Sequence, residues 1–305
     1  MINLRETTYK NGSVVLRGPK AVNRGSKEKP IFEFPSVTGR QAGHLLHTLI
    51  VPDPPPPPRD SPLYIPYLAL RAKLPPASEA LTDLLADAFV GRFMPHETYI
   101  EPGRMGDPIA ATIPAFSVPP ALTLLELVRG GSFASPRFLR RLREFFPLID
   151  DTSITVCGQR KGNSIKKLRT DPTLKGYVPD LDERDCIIVD PILATGVSAE
   201  TGIERMVERC DGKRPRSLTL LCFHATERGI RTLAKKYPGI RIIALAIHLK
   251  LNGLGYLLRP GVSDYGAVWA GCTDERPDAA TLEKLVLRMF PRLIPVTQAE
   301  APWAA

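Results

Sequence analysis

Three runs, CIIVD (186–190), SLTLLCF (217–223) and RIIALAI (241–247), are apolar at nearly every position. A strand turns successive side chains to opposite faces, so a run of this kind must be buried on both. The stretches between them have helical spacing. Ile203, Met206, Val207 and Cys210 share one side of a helix expected over 199–210, and another is expected over 226–236. Strands buried on both faces and alternating with helices predict a parallel sheet with helical crossovers.

The same alternation extends upstream. Ser78 is expected to cap a helix with Leu81, Leu84, Leu85, Ala88 and Phe89 on one face. Residues 135–146 read as a basic helix, SITVC (153–157) as a strand, and 279–290 as a last helix. Before them, VPDPPPPPRDSP (51–62) is a stiff polyproline II spacer. It divides an irregular N-terminal extension, residues 1–60, from a domain over 61–305, and the extension is expected to be dispensable for chemistry.

Parallel sheets bind ligands at the carboxyl ends of their strands. Here that end is the turn in IIVDPILATGVSAETGIERM (187–206), with a carboxylate at Asp190 and hydroxyls at Thr195 and Ser198. Gly196 lets the backbone approach a ligand closely, and Ser198 is expected to cap the following helix. The first turn of a helix leaves N–H groups unpaired and partly positive, which suits a phosphate. Two readings remain at this point: a phosphate cradle with Asp190 near a sugar's hydroxyls, or a capped turn without a ligand. The Walker pattern GxxxxGK[ST] is absent, which argues against a kinase or an ATPase.

Bulk properties narrow the classes further. The 305 residues contain no apolar run of membrane-spanning length, and MINLRETTYK is no signal peptide, so no membrane association is expected. Five scattered cysteines without CxxC spacing suit a reduced, cytoplasmic chain. The net charge of +9 sits partly at the front, where residues 1–40 hold eight Lys/Arg against three Glu. No aromatic platform accompanies it, so nucleic acid is not an expected partner. HLLH (44–47) has the spacing of a metal pair but no third ligand, and His96 and His224 read as structural residues.

VDPILATGVS resembles the phosphoribosyl-diphosphate (PRPP) loop of uracil phosphoribosyltransferases, usually VDPMLATGGS. The likeness extends over roughly 61–275, from LYIPYLALRAK (63–73) through PDLDERDCIIVD to LLCFHATERGIRTLAKKYPGIRIIAL (220–245). It implies an α/β, parallel-sheet type I phosphoribosyltransferase fold with a small hood and an N-terminal extension. It also implies Mg²⁺-dependent transfer of phosphoribose from PRPP to uracil or a uracil-like heterocycle, with release of diphosphate, by a homodimer.

Roles carry over by motif. The PRPP contacts implied are Asp190, Pro191, Ala194, Thr195, Gly196, Val197 and Ser198 in the loop. Arg129 and Gly130, in ELVRGGSF, match the diphosphate-binding loop, and Arg160 opens a basic lid over roughly 160–178. LNGLGYLLRPGVSDYG (251–266) resembles the uracil-binding hood, usually LNxxGYIVPGxGDAG. That implies acceptor contacts at Tyr256, Leu257, Arg259, Gly261, Ser263 and Asp264, with Asp264 also at Mg²⁺. Asp190, Asp264, Arg129 and Arg160 are the implied catalytic set.

The hood departs from the family. It has an extra residue around Leu258–Arg259, and Val268 stands where the family has an arginine. His248 stands where an aspartate is expected before the LN pair. These changes bring in two alternatives: a specialised enzyme with a different, anionic acceptor, or a non-catalytic regulator that binds PRPP or a nucleotide.

Overall fold

In a computed structural model, the structure describes residues 4–20, 42, 45, 46, 64–94, 96–102, 108–114, 121–128, 131–161, 169–175, 180–248 and 251. The described strands are β1 (Arg5–Thr8), β2 (Val14–Arg17), β3 (His96–Pro102), β4 (Pro108–Pro114), β5 (Ala121–Val128), β6 (Asp150–Lys161), β7 (Arg169–Lys175), β8 (Asp185–Val189), β9 (Ile192–Leu193), β10 (Ser217–Thr226) and β11 (Arg241–His248). The helices are α1 (Tyr64–Phe93), α2 (Gly131–Phe145), α3 (Val197–Arg209) and α4 (Glu227–Lys236).

The main sheet runs β1-β2-β11-β10-β8-β5-β6-β7, with the short β9 also paired to β10. Pairing is parallel from β2 through β6 and antiparallel only at the two edges. β3 and β4 form a separate antiparallel pair, for which the sequence carries no clear signal.

The apolar runs follow the two-faced burial expected of them. Ile187, Val189, Leu221, Phe223, Ile243 and Leu245 join the core under α1 and α2. Their neighbours Cys186, Ile188, Leu220, Cys222, Ile242 and Ala244 join the core under α3 and α4. One strand thus serves two cores by alternation, which is why these runs are apolar at nearly every position.

Several expectations need correction. Ser78 caps nothing: it is buried inside α1, which runs through Pro75 and Pro76, and its carbonyl accepts a hydrogen bond from Thr82 Oγ1 at 2.8 Å. Leu74 and Ala77 enter the same core as Leu81, Leu85 and Phe89, and this burial outweighs the backbone donors the proline pair lacks.

The basic helix expected over 135–146 is α2, and its arginines pair with α1. Arg137 Nε donates to Asp83 at 2.6 Å and Arg141 Nε to Asp87 at 2.9 Å, both acceptors on α1.

The N-terminal region is not irregular throughout. β2 lies parallel to β11, with Val15 and Leu16 buried, and Arg17 Nη1 pairs with Glu227 of α4 at 2.7 Å. Ala42 and Leu46 are also buried in the core. The polyproline run, His44, His47 and the helix expected over 279–290 lie outside the described residues.

Candidate functional site

β5 and β8 are neighbours in the sheet, but the chain leaves them in opposite directions. From β5 it crosses through α2 to β6; from β8 it crosses through α3 to β10 on the other side. α2 covers one face and α3 the other. The carboxyl ends of β5 and β8 therefore flank a topological switch point, where a crevice opens in sheets of this kind. Asp190 follows β8 at that point, partly exposed, and its backbone N–H donates to the Leu221 carbonyl at 3.0 Å.

The two crossovers approach each other tightly here. A side chain at Gly131, the first residue of α2, would put its Cβ 2.8 Å from the Val189 carbonyl oxygen. Only glycine lets the start of α2 sit so close to the end of β8.

The turn after Asp190 is held from behind. Pro191 offers its carbonyl to the N–H groups of Phe223 and His224, at 3.1 and 3.0 Å. Ile192 and Leu193 form β9 against β10. Thr226 Oγ1 donates to the Ala194 carbonyl at 2.5 Å and accepts from the Gly229 N–H at 3.0 Å, capping α4 as it does so. At Gly229 a Cβ would lie 2.7 Å from the Ala194 oxygen. The loop is thus pinned by the amino end of α4.

Gly196 is the N-cap of α3, with φ of 88°, in the left-handed region that glycine adopts without a steric penalty. No side chain caps the helix. Ser198 is the second residue of the first turn, which corrects the expectation that it would be the cap. Thr195 is buried, and its Oγ1 accepts from the Val197 N–H at a long 3.4 Å. With no side chain at the cap position and only the long Thr195 contact, the first turn keeps partial positive charge for an anion.

The structure therefore brings Asp190, Pro191, Ala194, Thr195, Gly196, Val197 and Ser198 together in one turn. Arg160 lies in β6, opposite Thr170 of β7, in an antiparallel pairing that also includes Lys161 with Arg169. The expected lid is therefore in part a β-hairpin, with Arg169 and Lys175 in its second strand. Arg129 and Gly130 lie outside the described residues, between Val128 of β5 and Gly131 of α2. Tyr256, Leu257, Arg259, Gly261, Ser263 and Asp264 lie outside them as well.

The sequence reading took His224 for an ordinary structural residue and did not single out Thr226 or Gly229. A threonine closing a strand with glycine three residues on is a legible capping pattern. The histidine needed the structure: His224 Nδ1 and His248 Nε2 are 3.0 Å apart, with both residues buried. Burial holds His248 down to about 4; burial and the neighbouring His248 charge hold His224 well below the usual imidazole value.

Other features limit what the chain can be. Cys186 and Cys222 are free and buried, and burial pushes their thiols well above their ordinary value, so neither is an active nucleophile. No described helix is long and apolar enough to cross a membrane.

A family model described as uracil phosphoribosyltransferase matches residues 77–268. A uracil phosphoribosyltransferase of Rhodococcus jostii is 35% identical over 136 residues, covering 42% of this chain and 62% of its own. One of Acidovorax sp. is 41% identical over 87 residues, covering 28% of this chain and 39% of its own. The chain thus spans less than two thirds of these relatives' length. Among solved structures, the AQ2163 protein of Aquifex aeolicus is similar, with a TM-score of 0.51 at 16% identity over 77% of this chain and 96% of that one. That likeness concerns the fold.

Proposed function

Given that this chain belongs to the uracil phosphoribosyltransferase family, we propose that it transfers phosphoribose from PRPP to uracil or a uracil-like heterocycle and releases diphosphate. The observation that carries the reading is the α3 N-terminus, left-handed at Gly196 and uncapped, beside Asp190 at the switch point. It can receive the 5-phosphate of PRPP on backbone N–H groups while Asp190 accepts hydrogen bonds from the ribose hydroxyls.

The reaction asks little covalent help from the protein. The bond between the anomeric carbon and the diphosphate oxygen breaks with its electron pair leaving on diphosphate. A ring nitrogen of the acceptor then forms the new bond from the opposite face. The protein's part is to hold both partners in line and to stabilise charge. Asp190 lies where the sugar becomes electron-deficient, while Arg129 and Arg160 are assigned to the diphosphate.

Among the described residues no group of three or more His, Cys, Asp or Glu is placed to hold a metal. Asp264 is the residue we assign to hold Mg²⁺ arriving with PRPP. The ion would offset charge on the leaving group. We also assign a homodimer, to be checked by light scattering.

An acceptor with an anionic substituent is the second reading. It is favoured by His248, an imidazole held neutral by burial where the family has an aspartate, and by Arg259 in the hood insertion. A diphosphate-release assay with PRPP, Mg²⁺, uracil and carboxylated uracils tests both readings. Release with none of these acceptors would overturn the enzymatic assignment.

A further inference from the structure

We propose that Arg17 is a positioning residue for the phosphate-binding turn and acts on it through the amino end of α4. The inference rests on the proposed binding of the 5-phosphate of PRPP at that turn, whereas the contacts that carry it are geometric. Arg17 stands opposite Ala244 of β11, two residues after Val15, which joins the core under α3 and α4. Alternation puts Arg17 on the same face. Its Nη1 donates to Glu227, the first residue of α4, at 2.7 Å. Its Nη2 donates to the hydroxyl of Tyr9, whose ring centre lies 5.8 Å from the guanidinium carbon and packs against the same core.

The first turn of α4 is thereby gripped from two sides. On one side it meets the phosphate-binding turn, through the Thr226 hydrogen bond to the Ala194 carbonyl at 2.5 Å. The Gly229 carbonyl oxygen comes so near Gly196 that a Cβ there would lie 3.3 Å from it. Glu227 and Gly229 are about 200° apart around the helix, so Arg17 holds the side that faces away from the turn. The carboxyl end of α4 is tied separately, by Lys236 to Glu200 and Glu204 of α3 and by Asn11 Nδ2 to the Ala234 carbonyl at 2.5 Å. Those ties lie about two turns from Glu227. Ile230 and Leu233 give the helix its burial, but apolar contact is non-directional. Rolling of the first turn away from Gly196 is therefore opposed chiefly by the Arg17 contact.

A guanidinium is a demanding group to place here. Its side chain is 16% exposed, and its Nε is buried with no hydrogen-bond partner among the described residues. A methionine of similar length would fill the space without stranding a donor, and replacing both partners of a desolvated ion pair by uncharged groups is often neutral for stability. What methionine lacks is direction. The planar fork fixes Glu227 relative to Tyr9, and a contact with fixed geometry resists rotation of the helix.

The test reads local opening, global stability and PRPP binding in the full chain. The double variant R17M/E227Q removes the ion pair and leaves neither charge unpaired. Two backbone amides report the positions at stake: Gly229, bonded to Thr226 Oγ1 at 3.0 Å, and Glu200, bonded to the Gly196 carbonyl at 2.9 Å. Both should exchange about tenfold faster, while the core strands and the last turn of α4 keep wild-type protection. PRPP should bind about tenfold more weakly by calorimetry, with the melting temperature within about 3 °C of wild type. Arg17→Lys, which keeps a cation for Glu227, should stay within about threefold of wild type in exchange and binding. Should the double variant fail to fold, Glu227→Gln takes its place, with the same direction and a smaller size.

Wild-type exchange at Gly229 and Glu200, or wild-type PRPP affinity in the double variant, overturns the inference. So does a uniform rise in exchange along the chain with a matching fall in melting temperature, which would make the ion pair a purely structural contact. If the wild type binds no PRPP, the functional reading falls, and the exchange at the two amides still decides whether Arg17 holds the turn.

Discussion

Gly131 and Val189 meet so closely that a methyl group on Gly131 would sit 2.8 Å from the Val189 carbonyl oxygen. This contact seats the start of α2 against the end of β8, next to Asp190 in the chain. The oxygen belongs to backbone within a central strand and cannot swing away. For Gly131→Ala we therefore expect α2 to shift, at about 1–3 kcal/mol, the usual range for overpacking. Urea denaturation reads the stability loss and calorimetry the weaker PRPP binding. Wild-type values in both would mean that the two crossovers move apart without consequence.

Ser198 separates ligand binding from helix capping. Had it been the N-cap, Ser198→Ala would cost about 1 kcal/mol of stability. Gly196 holds that position, and Ser198 sits in the first turn. Ser198→Ala should leave the melting temperature unchanged and weaken PRPP binding about tenfold, the loss of one hydrogen bond to a charged group. A fall in melting temperature with unchanged PRPP affinity would make the hydroxyl a structural group.

Much of this was legible before the structure, for a physical reason. Gly196 and the strand runs at 186–190, 217–223 and 241–247 reveal themselves locally, by backbone freedom and by period. Ser78 misled because Pro75 and Pro76 imitate a break, while the burial of Leu74 and Ala77 that overrides it is a tertiary fact. β2 was hidden for a related reason: VVLR is four residues long, and its partner β11 lies more than two hundred residues away. The His224–His248 pair has no sequence spacing at all. It exists because β10 and β11 are neighbours in register.

The N-terminal hairpin should prove indispensable to folding, against the reading from sequence. Deleting residues 1–20 removes β1 and β2, the burial of Val15 and Leu16, and the Arg17–Glu227 ion pair. Each apolar side chain contributes about 1.5–3 kcal/mol. The deletion also bares β11, whose edge would be long and apolar, a template for association. Size-exclusion chromatography should show aggregates, where a folded species of normal stability would restore the view of these residues as a detachable extension.

The histidine pair predicts the acid limb of stability. In the unfolded chain each imidazole titrates near its ordinary value of 6.5, whereas burial holds His248 down to about 4 and His224 well below 6.5. Between these limits the unfolded state binds more protons than the folded one, so stability falls as pH drops from 6.5 toward 4. One group with this shift contributes at most about 1.4 kcal/mol per pH unit, or roughly 3 kcal/mol for His248 over the window. Glu126 acts in the opposite sense, because burial raises its carboxyl and penalises the charged form as pH rises. Asp150, held low by its Arg184 hydrogen bond, titrates below the window of interest. Urea denaturation at steps from pH 7 to 4.5 should therefore show a slope in the wild type that is largely absent in H224N/H248Q, which keeps both carboxyl groups. An equal slope in the two proteins would place the acid sensitivity elsewhere and leave the imidazoles without a part in it.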